Sequence, residues 1–499
     1  MEQLKIIIES FDIVFSYSTI IAIIMGVLWG VIVGALPGLG SIIAITICLP
    51  FTYSMAPGTA IALLLSVYCG SVFGGSITAI LLNTPGAPQN AATCFDGFPM
   101  AQKGMADRAL GWASSASVFG GLFSCVVFIV FGPQLARVAL KFGPVETFAL
   151  ILMALTCIAN VSKGSMLKGL FAGCLGIFLS TVGQDPIIGD MRFVFGIFQI
   201  YAGFNLIPVV VGVFALAEVF SRAAGFGQGQ ATIVKYSGIK FPSIKDWHGR
   251  LKCLIKSAAI GSFVGILPGT GAATSAFISY AEARRSSPRS KNFSEGEPDG
   301  IIAAETANNA VTGGALVPTL ALGIPGDPVT AVMLVTLVLH GITPGVRLMV
   351  DNPEMIYSCF IILILANLAM LGTVFPITKG FAKILRTPEP IMMSVVVILC
   401  LLGAYGIRLN IFDLYVTLAA GLLGFTMRYL KAAVAPLVIG MVLGQQLEVS
   451  LRQGLILNDG NFLNFFVGHP IALSLNLVTC GILLCPLIKY IYQKRKRFN

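Results

Sequence analysis

Gly34-Ala35-Leu36-Pro37-Gly38-Leu39-Gly40 is a string of helix breakers at the end of an apolar run, and the chain says it twice. The second copy, Gly265-Ile266-Leu267-Pro268-Gly269-Thr270-Gly271, follows 231 residues on. A second pair trails each copy. Asn83-Thr84-Pro85-Gly86-Ala87-Pro88 comes after the first, and Gly323-Ile324-Pro325-Gly326-Asp327-Pro328 after the second, 240 residues apart. The runs around all four blocks are apolar enough to enter a bilayer. In hydrocarbon an unpaired backbone group costs several kcal/mol, so broken helix survives there only where it is buried in protein or lines a cavity.

The composition fixes that setting. Of 499 residues 56% are hydrophobic and 11% charged, too few charges to cover a soluble core of this size, so the chain reads as an all-α polytopic membrane protein. The net charge of +10 points to cytoplasmic loops, where Lys and Arg collect. Met1–Asp12 carries three acids and one Lys, which is not the start of a cleavable signal peptide, so the first apolar run is expected to be retained. Eleven cysteines are scattered without a C-x-x-C, and His248, His340 and His469 lie far apart. Buried thiols explain them better than a metal or disulfide framework.

Working outward from the first break, Val14–Val33 reads as a span with Gly26, Gly30 and Gly34 on one face, a pattern that ordinary close helix packing explains. Ile42–Leu49 and Ala272–Tyr280 are too short to cross and read as re-entrant half-helices. Further spans are expected over Ala60–Leu82, Ala113–Phe131, Val145–Ile158 and Leu170–Val182. A long run, Phe193–Phe220, should be broken at Asn205 and Pro208. Ser221–Lys256 holds seven Lys/Arg and one acid and divides the chain into a first repeat (1–220), a basic cytoplasmic linker (221–256) and a second repeat with extra C-terminal spans (257–499). Nucleic-acid binding by so short a loop without a motif is not supported.

In the second half, spans are expected at Val329–Leu339, Met355–Phe375, Ile391–Tyr405, Ile411–Met427, Ala432–Gly444 and Ile471–Ile491. Basic clusters at Lys379–Arg386, Arg428–Lys431 and Lys489–Arg497 recur every two spans and share one side. The N-terminus is then periplasmic and the C-terminus cytoplasmic. The first break is entered from an acidic segment and the second from the basic linker, so the two copies enter from opposite faces as inverted-topology repeats. Ser41 and Ala272 are accordingly expected at opposite aqueous faces.

A helix that stops inside the membrane leaves N–H groups and partial positive charge at its N-terminus, which can hold a carboxylate without Lys or Arg. An organic anion is therefore placed between the breaks, at Gly38, Asn83, Thr84, Pro85, Gly86, Gly269, Asn308, Asn309, Pro325 and Gly326, held by backbone and amide donors. Exposed carbonyls near Gly40, Gly271, Asn309 and Asp327 are candidates for a Na⁺ ion. Glu305 and Asp327 are the acids nearest the breaks, and either could carry a proton. Against this, Pro and Gly can simply sharpen turns and amides can cap helix ends.

The motifs together carry a resemblance. Gly34–Gly40, Leu49–Tyr53, Tyr68–Ile77, Leu81–Gly86, Asp96–Ala101, Gly265–Gly271, Ala307–Ala310 and Leu322–Pro328 resemble, in order and over nearly the whole chain, the large membrane subunit of the tripartite tricarboxylate transporters. Ala304 stands where that pattern has a proline. The resemblance implies a bacterial inner-membrane, ion-gradient-driven importer of carboxylates, coupled to Na⁺ or H⁺. It also implies two partners, a small four-span membrane subunit and a periplasmic substrate-binding protein. A passive organic-anion channel is the alternative. A membrane enzyme is the more distant one, since no nucleophile–base pair or metal cluster appears.

Overall fold

The computed structural model describes residues 2–36, 38–161, 166–226, 238–345, 348–384 and 389–498. Pro37 and Arg386, named above, lie outside the described residues, as do part of the basic linker and the side chains of the clusters at Lys379 and Lys489–Arg497.

A short helix, α1 (Glu2–Val14), precedes the first span, α2 (Tyr17–Gly34). The Ser16 hydroxyl caps α2 by accepting from Thr19 N–H. Beyond the first break come α3 (Gly40–Thr52) and α4 (Pro57–Leu82), the latter buried along its whole length. Gly26, Gly30 and Gly34 bring α2 and α4 into backbone contact. A Cβ on Gly26 would lie 2.7 Å from the Leu63 carbonyl, and one on Gly34 would strike the Ser71 backbone. Residue numbers rise together along this seam, so α2 and α4 run parallel and α3 returns between them. Its 13 residues span about 20 Å, short of the roughly 30 Å hydrocarbon core.

The first half continues through α5 (Cys94–Met100), α6 (Ala106–Ala139), α7 (Pro144–Val161) and α8 (Met166–Ser180). The expected long span from Phe193 is not helical at its start. A two-stranded antiparallel ribbon pairs Gly183–Gln184 with Met191–Arg192, and exposed Phe195 and Phe198 follow. Backbone N–H groups of Ile188 and Ile187 hold the Asp185 carboxyl down to about 2 and pin the turn. Helix resumes only at α9 (Leu206–Val211), because Asn205 is its cap and accepts from Ile207 N–H; Pro208 sits in the first turn, where it breaks nothing. A π-helical turn, Gly212–Leu216, joins α9 to α10 (Ala217–Ser221).

The second half opens with α11 (Leu251–Ile266), α12 (Gly271–Ser286) and α13 (Pro298–Leu322). The last residues of the basic linker are thus already helical. Then follow α14 (Pro328–Leu339), α15 (Leu348–Asp351), α16 (Pro353–Ile384) and α17 (Glu389–Arg408). The chain closes with α18 (Ile411–Tyr429), α19 (Ala435–Leu457), α20 (Phe462–Val467) and α21 (Pro470–Phe498). Six segments among the described residues are long and apolar enough to cross a membrane, and the rest of the apolar helices are shorter. The chain is an all-α polytopic membrane protein.

The two halves exchange a helix. From the first half, α6 lies along α13, with Ser117 at Glu305 and Ser124 at Gly313, so these two run parallel. From the second half, α16 lies along α4, with Cys359 beside Ile61 and Leu65, and Asn367 at Cys69, again parallel. Between the exchanged helices, Gly121 meets Asn367 and Phe128 meets Phe360, so α6 and α16 run antiparallel. It follows that α4 and α13 point in opposite directions. The pair α11–α13 is seamed like α2–α4, with Gly261 against Ala307 and Gly265 against Val311.

The α2–α4 seam should not tolerate side chains. Gly30→Leu, facing the Val67 and Ser71 backbone, is expected to cost about 1–3 kcal/mol or more through overpacking. Gly372→Ala, with nothing within 4 Å, should be neutral or gain up to about 1 kcal/mol. Thermal unfolding in detergent reads both, and equal midpoints for the two variants would contradict the seam.

Candidate functional site

The two breaks are the same local construction. After α2, Gly38 and Gly40 take φ of +77° and +66°; after α11, Gly269 and Gly271 take +82° and +69°. These are left-handed conformations that a Cβ disfavours by roughly 1–2 kcal/mol, which is why glycine recurs at the same two positions. The partner breaks match as well. α4 ends on left-handed Asn83 (φ +55°) and α13 on left-handed Gly323 (φ +72°). One backbone hydrogen bond hangs each tip on its partner: Gly38 N–H donates to Gly86 O at 3.1 Å, and Gly269 N–H to Gly326 O at 2.8 Å.

Both tips face one cavity of about 780 Å³, lined by residues 38–43, 86–89, 269–274 and 327–329. That is ample for a small organic acid. The first turns of α3 and α12 both border it, and their backbone N–H groups have no partner within the helix. The helix dipoles add partial positive charge at the same ends.

Of the site residues expected from sequence, Gly38, Gly86 and Gly269 line this cavity, together with Gly40, Gly271 and Asp327 from the cation set. Asn83, Thr84 and Pro85 do not, and Asn83 is exposed. Pro325 and Gly326 are buried behind the wall, where Gly326 N–H donates to the Thr319 hydroxyl at 3.2 Å. Asn308 and Asn309 are buried within α13, and their amides already donate inside the protein. Asn308 gives to Gln89 O at 3.4 Å, and Asn309 gives to Glu305 O at 3.0 Å and Asn308 Oδ1 at 2.7 Å. Asn309 Oδ1 is a buried acceptor without a hydrogen-bond partner, the kind of oxygen a cation would satisfy.

Of the two acids, Asp327 borders the cavity and Glu305 does not. Asp327 caps α14 in a reciprocal box with Thr330, accepting Thr330 N–H at 2.8 Å, and receives the Tyr68 hydroxyl at 2.5 Å from the opposite half. Glu305 sits between the halves, accepting from Thr93, from Asn90 at 3.4 Å and from Ser117 at 3.1 Å. Ser41 and Ala272, expected at opposite membrane faces, border the same cavity. Ser41 lies in the first turn of α3 and Ala272 in the first turn of α12.

Four groups were missed in the sequence reading: Tyr68, Glu218, Arg428 and Lys431 all line the cavity. Arg428 and Lys431 had been explained as a topology signal at a span end. They lie some 390 residues from the first break, and only folding brings them to it.

A family model described as the tripartite tricarboxylate transporter TctA family matches residues 20–439. The chain belongs to that family. It is 35% identical over 473 residues to an uncharacterized 52.8 kDa protein of the TAR-I ttuC' 3' region of Agrobacterium vitis, covering 95% of this chain and 94% of the relative. It is 34% identical over 232 residues to a protein of the TAR-II ttuC' 3' region of the same organism, 46% of this chain and 96% of that relative. No solved structure matches. As a TctA-family protein the chain is a membrane subunit of a transporter that works with other subunits, and both breaks fall inside the matched span.

The cap on α14 is open to test. Asp327→Ala should lower stability by about 0.5–2 kcal/mol, whereas Asp327→Asn, whose amide oxygen can still accept from Thr330, should stay within a few tenths of wild type. If the two variants unfold at the same reduced temperature, Asp327 is not held there as a helix cap.

Proposed function

We propose that this chain is the large permease subunit of a binding-protein-dependent importer that carries tricarboxylates or related organic carboxylates on an ion gradient. One observation carries the reading. Both Pro-Gly tips, one from each half, bring the N-terminal ends of α3 and α12 to a single cavity, and such ends hold carboxylates. The family's place in tripartite systems supports a small four-span membrane subunit and a periplasmic binding protein as partners. The substrate sits at Gly38, Gly86 and Gly269, while Asn83–Pro85, Asn308–Asn309 and Pro325–Gly326 shape the breaks behind it. The coupling ion is Na⁺ or H⁺, with Gly40, Gly271, Asp327 and the unpartnered Asn309 oxygen as its surroundings.

We place the protein in the bacterial inner membrane, N-terminus periplasmic and C-terminus cytoplasmic. Residues 1–220 and 257–499 are then inverted repeats joined by the basic linker 221–256. The opposed directions of α4 and α13, the matched glycine dihedrals and the matched tip-to-tip bonds all support that arrangement. Inverted halves allow alternating access, because each can take the other's conformation.

Reconstitution separates the carrier from the channel. Proteoliposomes holding the chain, its membrane subunit and the binding protein should accumulate labelled citrate or another di- or tricarboxylate above the outside concentration. Accumulation should collapse when an ionophore removes the Na⁺ or proton gradient, and the chain alone should transport poorly. Equilibration without accumulation, insensitive to every ionophore, would instead describe a passive anion channel.

A further inference from the structure

One wall of the cavity owes nothing to the repeated breaks. Glu218 in α10 faces α18, where its Oε2 accepts from Arg428, and its Oε1 accepts from Arg222 Nε at 2.9 Å. The other terminal nitrogen of Arg428 donates to the Phe214 carbonyl at 3.2 Å. Phe214, Glu218, Arg428 and Lys431 line the cavity, and the Arg222 guanidinium lies against Gly38, at a place a Cβ would fill. One carboxylate thus serves two guanidinium groups, with a third cation beside them. The side chains of Glu218 and Arg428 are 15% and 31% exposed, wet enough to exchange partners and buried enough for the pairing to matter.

Two backbone irregularities frame the cluster. The π-helical turn Gly212–Leu216 comes just before Glu218, and such turns are rare and concentrate at functional sites. Lys431 occupies the position after the C-cap of α18. Its N–H bonds Arg428 O at 2.9 Å, and Ala432 N–H bonds Met427 O at 2.7 Å, the paired bonds of a Schellman ending. Lys431 has φ of +54° there, where glycine is the unstrained residue. Helix termination does not ask for a lysine at that position.

We propose that Glu218 is a resident carboxylate, holding Arg428 in the place of a substrate carboxylate, and that an organic acid docks by taking Arg428 from it beside Lys431. This rests on the carboxylate-carrier reading above. The exchange never strands a charge: while substrate holds Arg428, Glu218 remains paired with Arg222, so no uncompensated carboxylate is left at the wall. Arg428 and Lys431 supply charge where the half-helix ends supply only backbone donors.

Citrate binding to the purified full-length chain, read by calorimetry alongside thermal unfolding, tests this. Arg428→Gln should weaken citrate about ten- to hundredfold, the cost of one charge-assisted pair. Glu218→Gln removes the internal competitor and should tighten citrate by about threefold or more. Lys431→Gly should raise the unfolding midpoint, by releasing backbone strain, while weakening citrate by about threefold or more. A merely structural role would move stability and binding together, so opposite shifts in Lys431→Gly are diagnostic, and this exposed position keeps the test open if Glu218→Gln fails to fold. Wild-type citrate affinity in both Arg428→Gln and Lys431→Gly would overturn the proposal and leave the carrier reading intact. If wild type binds none of citrate, succinate or acetate, the carrier reading fails and takes this proposal with it.

Discussion

The structure depends on keeping backbone polar groups paired where helices stop inside hydrocarbon. Each Pro-Gly tip frees several N–H and C=O groups, and each unpaired group there would cost several kcal/mol. The molecule meets this by setting two breaks against each other in each half, Gly38 on Gly86 and Gly269 on Gly326. Close approach of the parallel pairs α2–α4 and α11–α13 is the precondition, because each tip must land on its partner. The small-residue seams are therefore part of the site's construction as well as of its packing. What remains unpaired is the first turn of α3 and of α12, and those turns border the cavity.

Much of this was legible in the chain. The breaks and six of the expected spans follow from Gly/Pro placement against apolar runs, and the duplicated spacing implied duplicated geometry. The glycine dihedrals bear that out at Gly38, Gly40, Gly269 and Gly271. The amides misled in a specific way. Asn308 and Asn309 look like free donors in a polar run, but Asn309 donates to the Glu305 carbonyl four residues back and to Asn308 Oδ1, and Asn308 donates across to Gln89 O. Asn83 was grouped with the site because it opens a break motif. It takes the left-handed turn and is exposed, while Gly86, three residues on, reaches the cavity.

The cationic wall was illegible for a different reason. Arg428 and Lys431 obey the positive-inside pattern at the end of a span, and nothing local separates a topology marker from a binding group. Glu218, more than three turns into the apolar helical run that starts at Leu206, carried the better signal. A carboxylate on a span segment is costly and needs a cation, and the nearest in sequence, Arg222, is only four residues away. The second guanidinium comes from 210 residues further on. Likewise Asp327 could be read as a cap from its sequence, since Asp-Pro precedes an apolar run with Thr330 at the third position. Its tie to Tyr68 in the other half could not.

These contacts also limit how the molecule can move. The sequence halves are not separable blocks, because α6 lies along α13 and α16 lies along α4. Pulling residues 1–220 away from 257–499 would break the bonds of Ser117 and Thr93 to Glu305 and of Tyr68 to Asp327, leaving Glu305 without these donors and Asp327 with Thr330 alone. The exchanged helices α2, α4, α6, α11, α13 and α16 therefore form one packed unit. The wall with Glu218 and Arg428 belongs to a different group, in which Gly212 and Gly424 seat α9 and α10 against α18. The cavity lies between that wall and the two tips. The Glu218–Arg428 pair therefore sits on the boundary between these two groups, and not on the line that divides the sequence in two.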